Sequence, residues 1–567
     1  MWTEQRMARA EDDFPMRKIS SQNLAHRLRN RQIEHCLPAA HFHVARLFYE
    51  CIFPNFTIIN IQKPASFLRK FSPDGCHFIC FSVDQSSLEI YEYRGPASGV
   101  HLLHNIGNDA TELKQNLFSV MFRQKSVCHM TREREHLNRE CSLFTCDGRF
   151  VIVASSALVR ENPYPFFYDA FRNNESLPHT NRTQLEDYTL HIINLHTGEL
   201  SDLRQFKCDK IYLSHNQGLY MYGDTLAVLS VQQQTIHMFK IIDGKFMDMQ
   251  TIGRFCHEDD EMIWSQAHYE QSQSTTAAYQ PNSLPQPFRP YNEKTINTLK
   301  HRLLAFLWRT TVLSEEEGMA RSTAARLFFK QFEHFRQLCM WKMQLLDETH
   351  LLIRYASEDV VLMKVADSNS QPSLFVIYNI ESTEIVAVYD NMSQQMYSLF
   401  ENFADHFRNA IPPNRPQFTC SSASNLYAYN SQCRFKSTIT NAKYGGSSEA
   451  IKRLLAQLPI SAQSYSASPY LDLSLFSYDE KCVSVLERPK ACGDGPVRFY
   501  SRSSGLLKYC IHTRYLPPLQ GQFFSRRLVA FTFHPTDPFA ISVQRINGEY
   551  MVSFHIRYCG ESETDYI

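Results

Sequence analysis

The sequence predicts a mainly β fold, a β-propeller of about seven blades carrying helical insertions and a helical N-terminal arm. Three observations predict it. A turn-and-strand unit recurs along the chain in a fixed order. Aromatic residues reach 13%, with 40 Phe and 28 Tyr but 4 Trp, and such side chains suit a pleated, half-buried surface. The two ends of the repeating region both read as strands, which could pair and close a ring.

The first unit is Phe71-Ser72-Pro73-Asp74-Gly75, followed by the strand FICFS (78–82), a polar turn and the alternating strand LEIYEY (88–93). Pro sets φ at the first corner, Asp bonds its own backbone and Gly accepts positive φ. The same grammar returns at Phe144-Thr145-Cys146-Asp147-Gly148, Phe476-Ser477-Tyr478-Asp479-Glu480 and Phe533-His534-Pro535-Thr536-Asp537. Weaker copies begin at Leu213 and Leu346. A second element, two strands joined by a polar turn, recurs as LHIINLHTGEL (190–200), LFVIYNIESTEIVAVY (374–389) and VRFYSRSSGLLKYCI (497–511). Together the two elements make one blade. Tyr91-Glu92 stands where a WD40 repeat carries Trp-Asp, so the pattern is WD40-like but degenerate. A β-sandwich would also use Asp-Gly hairpins, without requiring this order of elements. FTIINIQ (56–62) and EYMVSFHIRY (549–558) are the strands expected to close the ring.

Two intervals between anchors exceed one blade. The first holds a polar, low-complexity stretch (265–290), then apolar residues at helical spacing: Leu299, Leu303, Leu307, and Leu327, Phe328, Phe332, Phe335, Leu338. The second holds Met396, Leu399, Phe400, Phe403 and Phe407, then SSEAIKRLLAQLP, a helix capped by Ser447 or Ser448. The expected organisation is an arm with a docking helix over 1–50 and a propeller over 51–558. A loop insertion at 97–134 and helical insertions at 257–339 and 391–468 interrupt the propeller, and a tail covers 559–567.

In the arm, Ser20-Ser21 could cap a helix in which Leu24 and Leu28 share a face among Arg27, Arg29 and Arg31. Such a segment suits docking into an apolar groove. A nuclear-localisation or nucleic-acid patch and a solvated terminus are the alternatives.

Lys plus Arg is 58 and Asp plus Glu is 58, so there is no global basic excess for nucleic acid. The N-terminus shows no apolar h-region and no run approaches a membrane span, so an intracellular chain without a membrane partner is expected. Cysteines follow no zinc spacing. Nucleophile-elbow, Walker and dinucleotide motifs do not occur. The expectation is therefore a non-enzyme with no catalytic residue, no cofactor and no metal. A propeller enzyme, with polar residues converging on the central channel, is the third class to weigh.

Longer strings carry a resemblance. They include FPNFTIINIQKP (53–64), FLRKFSPDG (67–75), LEDYTLHIINLHTG (185–198), LSHNQGLYMY (213–222), LSVQQQTIHMF (229–239), MWKMQLLDE (340–348), NAKYGG (441–446) and LPISAQSYSASPYLDLSLFSYDEK (458–481). On these the chain resembles the De-etiolated-one family, over roughly residues 19–558. The resemblance implies a non-catalytic adaptor or substrate receptor in a cullin-4 RING ubiquitin ligase. The implied partners are a DDB1-type (damaged-DNA-binding protein one) adaptor, a DDA1-type small subunit, cullin-4, a COP1-type RING protein and an E2 enzyme or variant. Ubiquitination of transcription factors is the implied outcome. Histone contact and chromatin repression are the alternative, and the nucleus, with the cytoplasm beside it, is the implied location. The resemblance also points to Leu24, His26, Arg27, Leu28 and Arg31 as adaptor-docking residues.

Overall fold

The computed structural model describes residues 25, 48–104, 110–130, 134–159, 170, 172–173, 175–177, 184–253, 298–313, 321–362, 371–409, 426–480, 482–483, 496–511, 527–546 and 549–558. The chain divides into two units, Met1–Cys51 and Ile52–Ile567. In the first, Ala25 is helical and exposed, and residues 48–51 form a helical turn in which Phe48 and Tyr49 meet edge to face.

The second unit is a succession of antiparallel sheets. Strand β1 (Phe56–Ile61) leaves the N-terminal side and waits for the end of the chain. The first blade is β2 (Phe67–Phe71), β3 (His77–Phe81), β4 (Ser87–Tyr93) and β5 (Phe122–His129). The second is β6 (His136–Phe144), β7 (Phe150–Leu158), β8 (Glu186–Asn194) and β9 (Leu200–Asp209). The third is β10 (Leu219–Tyr222), β11 (Thr225–Ser230), β12 (Thr235–Ile242) and β13 (Lys245–Ile252). The fourth is β14 (Leu338–Leu345), β15 (His350–Ser357), β16 (Ser373–Asn379) and β17 (Ile385–Asp390). The fifth shows β18 (Phe476–Ser477), β19 (Val497–Ser501) and β20 (Leu507–Ile511). The last is β21 (Arg527–Phe533), β22 (Ala540–Ile546) and β23 (Glu549–Ile556), to which β1 adds as the outermost strand.

That last pairing closes the ring, with Phe56 opposite Ile556 and Ile58 opposite Phe554. It is the closure expected from the terminal strands, and it ties residues about 500 apart so that neither end of the sheet array stays open. First strands touch first strands of neighbouring blades, β2 against β21 and β6, and β10 against β14. They therefore stand innermost. The middle strand His77–Phe81 is buried throughout, because sheets cover both its faces. Aromatic rings fill the wedge between the last and first blades: Phe71–Phe539 at 6.1 Å and Phe122–Phe554 at 5.8 Å.

The described residues form six sheets. Helices occupy parts of both long intervals, within 299–336 and 394–455. One expectation needs correction. The stretch 97–134 is not a loop. It holds helices α1 (Val100–His104) and α2 (Ala110–Met121) and the whole of β5. Polar composition hid a helical stripe: Leu113, Leu117, Phe118 and Met121 are all buried against the closing blades. Gln62 N–H also donates to Lys114 C=O at 2.9 Å, so α2 is fastened just beyond β1.

In the first long interval, α3 (Leu299–Trp308) and α4 (Arg321–Arg336) form, and residues 254–297 lie outside the described ones. Leu338, read as the end of the helical stripe, opens β14 instead. In the second interval, α5 (Gln394–Asn402), α6 (Ala404–Arg408), α7 (Leu426–Thr440) and α8 (Ser447–Leu455) appear. Met396, Tyr397, Phe400, Phe407, Ile451 and Leu455 bury together against Leu352 and Phe375 of the fourth blade. Helices α5, α6 and α8 are therefore packed onto the ring by their apolar stripes, each buried large side chain contributing roughly 1.5–3 kcal/mol.

Candidate interaction site

The expected docking residues Leu24, His26, Arg27, Leu28 and Arg31 lie outside the described residues. What the structure does describe is a rim of turns on one end of the ring and a polar strap across its inner strands.

The rim follows from strand alternation. Every turn between first and second strands of a blade, and between third and fourth, emerges on the same end. The Pro-Asp-Gly turn behaves as its residues dictate. Asp74 Oδ1 accepts Cys76 N–H at 3.1 Å, Ser72 Oγ accepts His77 N–H at 2.9 Å, and Gly75 takes φ 75°. The next copy repeats it: Asp147 accepts Arg149 N–H at 3.0 Å and Thr145 Oγ1 accepts Phe150 N–H at 3.1 Å. Asp347 accepts the N–H groups of Thr349 and His350, both at 2.7 Å. In the last blade His534 substitutes for the hydroxyl residue. Its Nδ1 accepts Asp537 N–H at 2.8 Å, which leaves Nε2–H to donate to Gly75 C=O of the first blade at 3.0 Å.

Neighbouring turns touch in order around the rim. Gly148 sits beside Asp74, and Cys146 Sγ donates to Gly223 C=O at 3.3 Å. Arg149 bridges Asp147 to Asp243 at 3.8 Å. Burial would raise Asp74, Asp147 and Asp347, but the hydrogen bonds they receive outweigh it and hold all three below the ordinary carboxylate value. Asp224, Asp243 and Glu348 are exposed at the same end, beside the exposed Arg149 and Lys245. The turn hydrogen bonds that Asp74, Asp147 and Asp347 accept favour their ionised form. Among the described residues no group of His, Cys, Asp and Glu could hold a metal ion.

The strap is the segment 458–472, which runs along the inner strands. Three carboxamides act as rivets, each pairing with both the N–H and the C=O of one inner-strand residue. Asn216 Oδ1 accepts Ser142 N–H at 3.0 Å while its Nδ2 donates to Ser142 C=O at 3.2 Å. Gln234 does the same to Met340, at 2.5 and 3.2 Å. Gln463 of the strap does it to Phe144, at 2.9 and 2.5 Å. Inner strands lack a neighbour on their axial edge, and a carboxamide supplies one donor and one acceptor in the spacing a missing strand would. Asn216 also donates to Ala462 C=O at 3.3 Å, and Gln344 accepts Ile460 N–H at 2.8 Å. The strap thus joins the second, third and fourth blades, and Tyr470 at its end donates to Ile52 C=O at 2.7 Å.

Sequence reasoning missed the rivets. Their signal was present as Asn or Gln beside apolar runs, as Asn216 in LSHNQGLYMY and Gln234 in LSVQQQTIHMF, where a buried amide demands a partner.

These features define the class, a closed β-propeller of degenerate WD40-like blades, with helices packed onto the ring and a polar strap across its inner strands. The family description De-etiolated protein 1 Det1 matches residues 139–558. Two relatives called light-mediated development protein DET1 are similar along nearly their whole length. The protein of Arabidopsis thaliana is 32% identical over 553 residues, spanning 93% of this chain and 97% of its own. That of Solanum lycopersicum is 31% identical, with the same coverage. The chain belongs to the De-etiolated protein 1 family. Among solved structures, the Myceliophteria thermophila Cps50 (Swd1) β-propeller domain is 8% identical, with a TM-score of 0.32 and coverage of 88% of this chain and 100% of that one. The U3-55K structure is 7% identical, with a TM-score of 0.24 and coverage of 87% and 81%. Among the described residues no helix is long and apolar enough to cross a membrane.

Proposed function

We propose that this chain is a non-catalytic adaptor or substrate-receptor subunit of a cullin-4 RING ubiquitin ligase, working in the nucleus. It binds a DDB1-type adaptor together with a DDA1-type subunit, and brings a COP1-type RING protein and an E2 to transcription factors. The observation that carries this reading is kinship at full length, since the match spans 97% of the Arabidopsis relative. A ring of sheets joined by structural hydrogen bonds, with helices laid on its outside, suits a protein that works through surfaces. Adaptor contact is assigned to the arm, through Leu24, His26, Arg27, Leu28 and Arg31. The test is co-purification of the full chain with the adaptor. A stoichiometric complex is expected, and Leu24→Asp with Leu28→Asp should abolish it. A complex that survives both changes removes the arm assignment, and a native pull-down that recovers no cullin-4 component removes the ligase reading.

The exposed rim carboxylates Asp224, Asp243 and Glu348 favour a second reading, contact with basic histone tails. It predicts salt-sensitive binding to nucleosomes without the adaptor, weakened by Asp224→Asn, Asp243→Asn and Glu348→Gln together. Unchanged binding in the triple variant excludes the rim.

A further inference from the structure

One surface of the helices at 394–455 is not explained by packing on the ring. Helix α8 buries Ala450, Ile451, Leu454 and Leu455, so it is an anchored element. Helix α7 rests on α8 and buries Ile439 near its end, while Phe435 is 46% exposed. Between the two helices stands Tyr444, 85% exposed, the most exposed of the large apolar or aromatic side chains described.

The turn that displays it is rigid. Gly445 N–H donates to Ala442 C=O at 3.0 Å and Gly446 N–H to Ile439 C=O at 3.3 Å. A Cβ on Gly445 would come within 1.7 Å of the Ile439 oxygen, and Gly446 has φ 129°, so both positions require glycine. The turn holds a bulky aromatic in water, with the Lys443 ammonium over its ring at 5.3 Å.

Charge says what the surface fits. From residue 406 to 448 the chain has no Asp or Glu, yet it carries Arg408, Arg415, Arg434, Lys436 and Lys443. Asp405 directly precedes this stretch. Glu401 is engaged by the Tyr397 hydroxyl and Glu449 by Arg453 at 2.8 Å. Lys436 lies over the Tyr397 ring at 4.1 Å, whereas Arg434 and Lys443 are exposed. Arg434 and Phe435 lie in the second half of α7, Lys443 and Tyr444 in the turn that follows it, and no Asp or Glu occurs from 406 to 448.

We infer that the tip of the α7–α8 hairpin, with Arg434, Phe435, Lys443 and Tyr444, is a docking site for an acidic, apolar-studded peptide segment of a partner protein. Aromatic and Arg side chains are the types that dominate binding at such sites. Nucleic acid is disfavoured because two exposed cations are few for a phosphate backbone, where tight binders neutralise about 6–10 phosphates. The site is independent of the arm, so this inference and the ligase reading can fail separately.

The test uses the full chain and a displayed library of peptides alternating Asp or Glu with Leu or Phe. A Lys/Arg counterpart library and oligo(dT) serve as comparisons. Acidic peptides are expected to bind and to weaken as salt rises. Tyr444→Ala, and Arg434→Glu with Lys443→Glu, should each raise Kd by about tenfold or more. These side chains are exposed, so melting and circular dichroism should match the parent. Gly445→Ala keeps the chemistry and disturbs the turn, and it too should weaken binding. The inference is overturned if no acidic peptide binds, if the variants bind equally well, if basic peptides bind as tightly, or if oligo(dT) binds better than any peptide.

Discussion

Replacing Asn216 is the sharpest test of the riveted inner strands. The residue is 4% exposed and its one side chain makes three hydrogen bonds, two to Ser142 and one to Ala462, which is 246 positions away. Its backbone has φ 57°, a conformation Asn tolerates better than most residues. Asn216→Ala removes the amide and leaves Ser142 N–H and at least one carbonyl buried without a partner. Each such group costs about 1–3 kcal/mol. Holding Ala at positive φ adds about 1 kcal/mol. The sum is about 3–7 kcal/mol, a large part of the roughly 5–15 kcal/mol that stabilises a typical domain. Asn216→Gly separates the terms, since it relieves the backbone but still lacks the amide. It should fall about 1 kcal/mol short of the Ala variant. Urea unfolding followed by tryptophan fluorescence gives the global loss. Hydrogen exchange of the peptides containing Ser142 and Ala462 gives the local one, and both should lose protection together. If Asn216→Gly unfolds within about 0.5 kcal/mol of the parent, with exchange unchanged at both segments, the rivet account is wrong.

Gly75→Ala should be more damaging than Gly148→Ala. Both positions have positive φ (75° and 69°), but a Cβ at 75 meets the His534 ring at 2.5 Å while one at 148 lies 3.8 Å from Asp74. The difference in melting temperature between the two variants therefore reports the contact across the ring closure, and equal shifts would contradict it. Arg354, 1% exposed, lies over Trp341 and reaches Ala456 and Leu458 carbonyls at 3.4 Å beyond the end of α8. Arg354→Met should cost about 1–3 kcal/mol by stranding those carbonyls, with faster exchange through 447–458 as the readout. Unchanged exchange there would rule out the anchoring role. His191 and His237 are pushed down to about 4 by burial. Neutral imidazole is thus favoured in the folded chain, so stability is complete above the unfolded pKa near 6.5 and falls as pH drops toward 4. One pH unit below the unfolded pKa each group costs about 1.4 kcal/mol. His191→Asn should flatten the slope between these limits, and an identical slope would refute the assignment.

How much of this was legible depends on the range of the interaction that decides each feature. Turn chemistry is local, so the Pro73-Asp74-Gly75 and Asp147-Gly148 corners could be read directly, along with the strands beside them. Ring closure is long-range, yet terminal strands of matching apolar character announced it. The stripe Leu113, Leu117, Phe118, Met121 was equally local but lay in polar surroundings, and composition outweighed periodicity there. The start of α8 was placed one or two residues late, on Ser447 or Ser448. The residue before the helix is Gly446, at φ 129°, with no side-chain cap. Gly445 and Gly446 are needed by the turn itself, a demand visible only when Ile439 is seen to fold back onto it.

The rivets were the least legible, for a physical reason. An Asn or Gln in a string can face water, cap a helix or enter a core, and the string does not say which. Only when another strand brings an unpaired N–H and C=O within reach does the carboxamide become the one side chain that satisfies both. Three of the strings that carry the family resemblance hold these residues: LSHNQGLYMY holds Asn216, LSVQQQTIHMF holds Gln234, and LPISAQSYSASPYLDLSLFSYDEK holds Gln463. Degenerate blades, short of Trp, could not rely on the usual turn-to-strand aromatic to hold neighbouring sheets. A strap with carboxamides on both sides of it does that work from the axis. The inner strands are then pinned by side chains from three separate segments, so the ring's centre is specified by polar pairing and its walls by apolar packing.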